Sequence, residues 1–458
     1  MLPPFFCDFH CSLAMSTTET IVYAYTKSEA RKPPYERQPM PSLFDEPVTS
    51  KNWHNHVNWV HVVLLLGTPL IAIYGAFTTE LCSRTLLWSF VYYHISVFGI
   101  TAGYHRLWSH RAYRAVSAMR WFYCLAGSSA IQGSIYWWCR GHRAHHRWTD
   151  TDKDPYSAHR GLFFSHLGWM LVKRPKSRLG FADVADLKAD PVVAFQHRLY
   201  PLFALAMGFL FPTLIAGLGW GDFRGGFYYA AVFRLVLVHH ATFCVNSLAH
   251  YMGDDTYDDH HTSRDHWFTA VITNGEGYHN FHHEFPQDYR NAVMYYQYDP
   301  TKWLIKALSF FGLTYDLKTF PSNEVSKGMI QMKEKKLASM KRRLVYGTKL
   351  EDLPVYTWDE CRSSKVVRGL FIQDLVLNGN RKWILIEGIL YDMEGFIKEH
   401  PGGEKYIQAG YGKDMTTAFN GGVYNHSNGA RNLLTRMRVG VLKHGKYHAG
   451  SYVIVLIC

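Results

Sequence analysis

The stretch "GHRAHHRW" spans positions 141–148 and sets His142, His145 and His146 within five residues, flanked by arginines. At the spacing i, i+3, i+4 three helical side chains share one face. Taken alone, the stretch reads either as a basic surface face or as part of a ligand set. The rest of the chain decides. "HRLWSH" carries His105 and His110, and "HNFHH" carries His279, His282 and His283 at the same i, i+3, i+4 spacing. The gap of five in "HRLWSH" separates its two histidines by about 140° on an ideal helix. Either they straddle a metal or the helix ends between them. Imidazole suits zinc, copper, iron and nickel. Eight histidines exceed the four ligands of a structural zinc site, so two metals with about four ligands each is the natural count.

Four apolar stretches surround these clusters, at about 57–77, 86–104, 199–220 and 227–250. Each approaches the roughly 20 residues a membrane-spanning helix needs. The links "TTELCSRT" and "GDFRGG" are short, so the stretches read as two helical hairpins. The polar segment between them, about 105–198, is richer in Lys and Arg than in Asp and Glu. The positive-inside rule places it in the cytosol, with the N-terminus and everything after 250 on the same side. "HRLWSH" begins where the second stretch ends, and the other clusters lie in cytosolic segments. All three can therefore meet at the cytosolic face of the membrane. Arg234 and the histidines inside the second and fourth stretches should face a protein interior.

The chain has 458 residues, 26 of them histidine, and a formal charge of +12. Such a balance suits nucleic acid, anionic membrane or anionic substrate, but no nucleic-acid-binding motif is present. The eight cysteines form no C-x-x-C pair, so a reducing compartment is expected. The opening "MLPPFFCDFHCSLAM" lacks the basic region of a signal peptide, and Met15 is an alternative start. The closing "SYVIVLIC" is too short to span a bilayer.

After about residue 327 the composition changes to a charged, helix-prone connector, then to strand-like runs such as "WILIEGILYDM" with glycine turns. The expected organisation is a cytosolic tail over 1–52, a membrane domain over 53–320, a linker over 321–352, a small soluble α+β domain over 353–443 and a tail over 444–458. Within the soluble domain, "EHPGGEKYI" carries His400 and "YNHSNGARNLL" carries His426.

The words "TAGYHRLWSHRAY", "DPYSAHRGLFFSHLGWML" and "GEGYHNFHHEFP" closely resemble the acyl-CoA Δ9 (stearoyl-CoA) desaturases over about 53–320. That resemblance implies a mainly α integral membrane protein: four transmembrane helices and a cytosolic histidine-box domain holding two Fe. It carries ligand roles onto His105, His110, His142, His145, His146, His279, His282 and His283. From "NSLAH" it adds His250, and Asn246 acting through water. Read locally, His250 is either a core histidine or a ligand. Arg140, Lys173 and Arg174 are the implied grip on the CoA phosphates, with membrane-surface charge as the other reading of the last two. Trp138, Gln132 and Thr242 are implied at the bend of an acyl tunnel, although Trp138 by type alone reads as an interfacial aromatic. Gly141 stands where the family has Asp or Gly and is expected to be permissive. His94, His239, His240, His260, His261 and His266 match no metal role and are expected to be structural.

The C-terminal words, with "MRVGVL" downstream, resemble cytochrome b5, which implies haem b with His400 and His426 as axial ligands. A b5 domain fused behind such a desaturase is an arrangement typical of fungi. The stretch "CRSSKVVRGLFIQDLVLNGNRKWILIEG" is longer than the usual opening of b5 and should form an enlarged loop. The activity implied is insertion of a cis double bond into saturated C16 or C18 acyl-CoA with O2, using electrons delivered through the haem domain. No G-x-G-x-x-G follows a strand, so a separate NADH–cytochrome b5 reductase is implied. The resemblance further implies an endoplasmic reticulum membrane, lipid around the spans, and both redox centres facing the cytosol. The competing readings are a desaturase of another position, a fatty-acid hydroxylase, an inactive relative, or a non-enzymatic membrane haem electron carrier.

Overall fold

Among the described residues four helices are long and apolar enough to cross a membrane: Trp59–Thr78, Ser83–Ser109, Tyr200–Trp220 and Phe223–Tyr251. They form the two expected hairpins. The computed structural model describes residues 40–357 and 382–443. Met15, "SYVIVLIC" and most of the expected enlarged b5 loop lie outside the described residues. The second and fourth helices are half buried within the protein, whereas the first and third are mostly exposed. The inner pair has 27 and 29 residues. At 1.5 Å per residue a 27-residue helix is about 40 Å long, against a hydrocarbon core of about 30 Å. Both inner helices are therefore longer than such a core is thick, and His105 and His250 lie near their C-terminal ends.

The second helix does not keep α geometry to its end. Gly99–Ser109 is a π-helix, and the His110 amide donates to the His105 carbonyl at 3.1 Å, an i+5 bond. This resolves the two expectations for "HRLWSH". The helix ends at Ser109, between the two histidines, with His110 as its C-cap. One wide turn brings both rings to the same side, edge-on with centres 4.8 Å apart. Such turns recur at functional sites because they re-aim side chains at a cost in backbone geometry. Close packing accompanies it: a Cβ on Gly99 would lie 2.1 Å from the Gly127 amide nitrogen.

The helix Ile135–Trp148 carries the middle histidine cluster. The Ser134 hydroxyl caps it by accepting from the Trp137 amide. The third cluster sits on the short helix His279–Glu284. It is too short to stand alone, and the Asp265 carboxylate secures it by accepting from the Asn280 and Phe281 amides at 2.9 and 3.1 Å. Arg234 faces the interior as expected. It is fully buried, donates to the Ser129 and Gly208 carbonyls at 2.7 and 2.9 Å, and lies over the Tyr92 ring. Cys82, Cys124, Cys139 and Cys244 are free thiols.

The chain divides into two compact units at Glu334/Lys335. The second unit contains a four-stranded sheet in the order Val355–Tyr356, Arg438–Leu442, Ile389–Asp392, Trp383–Ile386. The first pair is parallel and the others antiparallel. Ile384, Ile386, Ile397, Ile407 and Leu434 pack its core between sheet and short helices.

The tight contact at Gly99 gives a test. Gly99→Val should cost about 3 kcal/mol through overpacking and lower the thermal unfolding midpoint. Gly67→Ala, where a Cβ meets nothing within 4 Å, should leave the midpoint unchanged or slightly raised.

Candidate metal centres and haem site

The three histidine boxes and His250 converge into two groups. His105, His110, His142, His146 and His282 form one, and His145, His250, His279 and His283 the other; within each, the ligand nitrogens lie within 4.8 Å of one another. The split is five and four, and it cuts through both three-histidine boxes. In each box the i, i+4 pair stays together and the middle histidine crosses to the other group: His145 leaves His142 and His146, and His282 leaves His279 and His283. Helix geometry explains this. Residues four apart differ by about 40° around the axis, whereas consecutive residues differ by about 100°.

The Nε2 atoms face one another. His105–His282, His110–His142, His146–His282, His279–His283 and His145–His283 approach at 2.9, 2.8, 3.0, 3.0 and 3.2 Å. Burial, then the neighbouring imidazoles, push His110, His142, His146, His279, His282 and His283 well below the usual histidine range. They are neutral at physiological pH and offer lone pairs rather than protons. Buried neutral nitrogens aimed at a common centre are the donor set a divalent transition metal takes.

The outward Nδ1 atoms are tethered in four cases. His105 meets Glu276 at 3.0 Å and His145 meets Asp154 at 2.9 Å. His142 meets the Tyr156 hydroxyl at 3.3 Å and His250 the Thr262 hydroxyl at 2.8 Å. Such partners set which ring nitrogen faces the metal. Glu276 also accepts from Arg106 at 2.8 Å, while Arg106 forms a two-pronged pair with Asp299 at 3.0 and 2.9 Å. Burial alone would raise the Glu276 carboxyl, but Arg106 and His105 hold it down at about 2. Sequence reading missed Glu276, Asp154, Asp299 and Thr262. The only local signal was acidic residues next to the boxes, in "TDTDKDP" and "GEGYH".

A cavity of about 780 Å³ adjoins the first group, lined by His105, His142 and Glu276. Leu64, Leu65, Val97 and Ile100 extend it along the membrane helices, and the exposed Arg140 and Lys176 mark its solvent rim. Trp138 donates to Gln132 at 3.2 Å, and Gln132 to Thr242 at 2.9 Å, forming one polar chain across the wall. Asn246 also lines the cavity and belongs to neither histidine group. Gly141 lines it too, and a Cβ there meets nothing within 4 Å, so a side chain fits.

The three expected phosphate-gripping cations separate. Arg140 is at the rim. Lys173 is exposed and outside the lining. Arg174 lines the cavity, but its guanidinium donates to four backbone carbonyls, of Asp152, Asp154, Pro155 and Arg178, at 2.7–3.1 Å. Burial also lowers its pKa to about 10. Its position ties the loop after the second box to the segment 174–178. Lys176, which sequence reading missed, stands at the rim instead.

In the second unit the His400 and His426 rings face each other, centres 6.4 Å apart and planes 26° from parallel. Each Nδ1 donates to a carbonyl, of Gly403 at 3.1 Å and Phe419 at 3.0 Å, which leaves Nε2 for a metal. Two metal–imidazole bonds of about 2 Å, plus the ring radii, fill such a gap. The glycines of "HPGG" have physical reasons. A Cβ on Gly402 would meet the His400 ring at 2.9 Å, and Gly403 adopts φ +95°.

A four-span membrane unit with nine convergent histidines, joined to a small sheet domain with two opposed imidazoles, defines a histidine-box membrane metalloprotein with its own haem module. Residues 83–318 match the fatty acid desaturase family, and residues 373–443 match the cytochrome b5-like heme/steroid binding domain. The "Probable acyl-CoA desaturase" of Schizosaccharomyces pombe is 50% identical over 88% of this chain and 81% of its own length. "Acyl-CoA desaturase 1" of Saccharomyces cerevisiae is 47% identical over 89% and 78%. "Stearoyl-CoA desaturase" of Sus scrofa is 40% identical over 59% and 76%. The chain belongs to the fatty acid desaturase family and carries a C-terminal cytochrome b5 domain. The family is di-iron and the b5 domain a haem domain, and the donor sets described above fit both.

Glu276→Gln should leave Arg106 with one carboxylate and His105 without its anionic partner. Iron per chain should fall, and stability should drop by about 3 kcal/mol in thermal unfolding. His400→Ala should abolish the reduced-minus-oxidised haem spectrum while leaving the non-haem iron content unchanged.

Proposed function

We propose that this chain is an acyl-CoA Δ9 desaturase. It converts saturated C16 or C18 acyl-CoA to the cis-Δ9 monoene and takes electrons through its own cytochrome b5 domain. The observation that carries this reading is a single cavity lined at once by box histidines, by aliphatic side chains of the membrane helices, and by exposed cations. A CoA ester has the matching parts: a phosphate-rich head, a long alkyl chain, and one C–C bond to be held near metal.

The nine histidines would hold the two irons, with Asn246 acting through water. When bound, the irons supply oxygen activation, the chemistry needed to take two hydrogens from an unactivated alkyl chain. The overall balance is acyl-CoA, O2, two electrons and two protons giving monoenoyl-CoA and two waters. The protein's own residues do the positioning. Arg140 and Lys176 grip the phosphates of the head group. Trp138, Gln132 and Thr242 fix the wall where the chain bends and so choose the bond presented. The aliphatic lining excludes water from the reacting carbons. Glu276, Asp154, Tyr156 and Thr262 hold the imidazoles in register.

His400 and His426 ligate the haem. Fusion raises the effective concentration of donor at acceptor, and a separate NADH–cytochrome b5 reductase passes electrons to the haem. The protein sits in the endoplasmic reticulum membrane with both redox centres on the cytosolic side.

Expression in a host auxotrophic for unsaturated fatty acids tests the assignment. Growth rescue with Δ9 monoenes is expected, with loss of product in His145→Ala. Monoenes at another position or hydroxylated chains would assign a different activity within the family. Haem without any product would leave an electron carrier.

A further inference from the structure

Resting on that reading of the site, we propose that Asp150 is a positioning residue for the four-histidine group. Through the Thr262 hydroxyl it fixes which ring nitrogen of His250 faces the metal.

The argument follows the hydrogens. The Thr262 hydroxyl lies 2.7 Å from one Asp150 carboxylate oxygen, and the Thr262 amide donates to the other at 2.6 Å. A carboxylate only accepts, so the hydroxyl hydrogen points at Asp150. Only lone pairs of the Thr262 oxygen remain for the His250 Nδ1, 2.8 Å away. Nδ1 must therefore carry the ring proton, which leaves the His250 Nε2 with its lone pair directed inward. That Nε2 is buried and has no hydrogen-bond partner within the protein.

The backbone is shaped to make this contact. Asp150 adopts φ 65°, a left-handed conformation uncommon for a residue with a side chain. Its amide is held by the Asp154 carboxylate at 3.0 Å. The other oxygen of Asp154 is the partner of His145. One loop, "TDTDKD", thus orients two ligands of the same group that arrive on different helices: His145 directly, and His250 through Thr262. His159 approaches the same Asp150 oxygen at 3.8 Å. The five-histidine group is served instead by Glu276, which Arg106 compensates. Loss of Asp150 or of the Thr262 hydroxyl should therefore loosen one metal and spare the other.

The test is release of iron from the purified full-length protein to a ferrous chelator, in wild type, Thr262→Val, Thr262→Ser and Asp150→Asn. Haem absorbance and thermal unfolding serve as folding controls. In Thr262→Val and Asp150→Asn one iron of the two should leave about 10–100-fold faster, the usual cost of losing an outer partner of a metal-bound histidine. The second iron should keep its wild-type rate. Thr262→Ser keeps the hydroxyl and should behave as wild type. Release at wild-type rates in Thr262→Val and Asp150→Asn would overturn the inference. So would equal acceleration of both irons, which signals general loosening. A wild-type protein without two non-haem irons would overturn the metal-centre reading beneath it.

Discussion

The structure depends on bringing nine imidazoles together in two groups inside the protein. An ionised group taken from water into a protein interior is expensive unless it is paired. Six of the box histidines are driven to the neutral form, first by burial and then by one another. The same constraint makes them metal ligands, since an imidazole that cannot hold a second proton has a lone pair to give. Beside the five-histidine group the full charges form one compact network. Arg106, fully buried, is matched by Glu276 and Asp299.

That network also joins distant parts of the chain. Arg106 belongs to the first box, and Glu276 precedes the third. Asp299 caps the helix Pro300–Phe310 by accepting from the Lys302 amide at 2.9 Å, and it accepts from the Asn291 amide as well. The register between a membrane helix and the segments that follow the spans thus rests on charge-assisted bonds in a dry interior, where they are strong. Metal geometry and fold share one set of contacts.

Much of this was legible in the sequence, for definite reasons. Helical periodicity makes H-x2-HH a shared face, and bilayer thickness fixes the length of an apolar span; boxes and helices follow from these local rules. What escaped was tertiary. The π turn that brings His110 beside His105 has no signature in "HRLWSH" and is accompanied by tight packing at Gly99. Helix geometry turns the middle histidine of each three-histidine box away from the other two, but which partners it meets depends on where the other helices arrive. Glu276 lies 171 residues from His105 in sequence, as their numbering gives, so no spacing rule links them. The resemblance implied Arg174 as a phosphate ligand, and no spacing rule shows that its guanidinium also donates to the carbonyls of Asp152, Asp154, Pro155 and Arg178.

The central claim is that two irons sit in separate histidine cages of five and four ligands. Anomalous diffraction at the iron edge from crystals of the iron-loaded protein tests it most directly. The account predicts, besides the haem iron between His400 and His426, two peaks in the membrane unit, one among His105, His110, His142, His146 and His282, the other among His145, His250, His279 and His283. A single peak in the membrane unit, or two peaks within one cage, would contradict it.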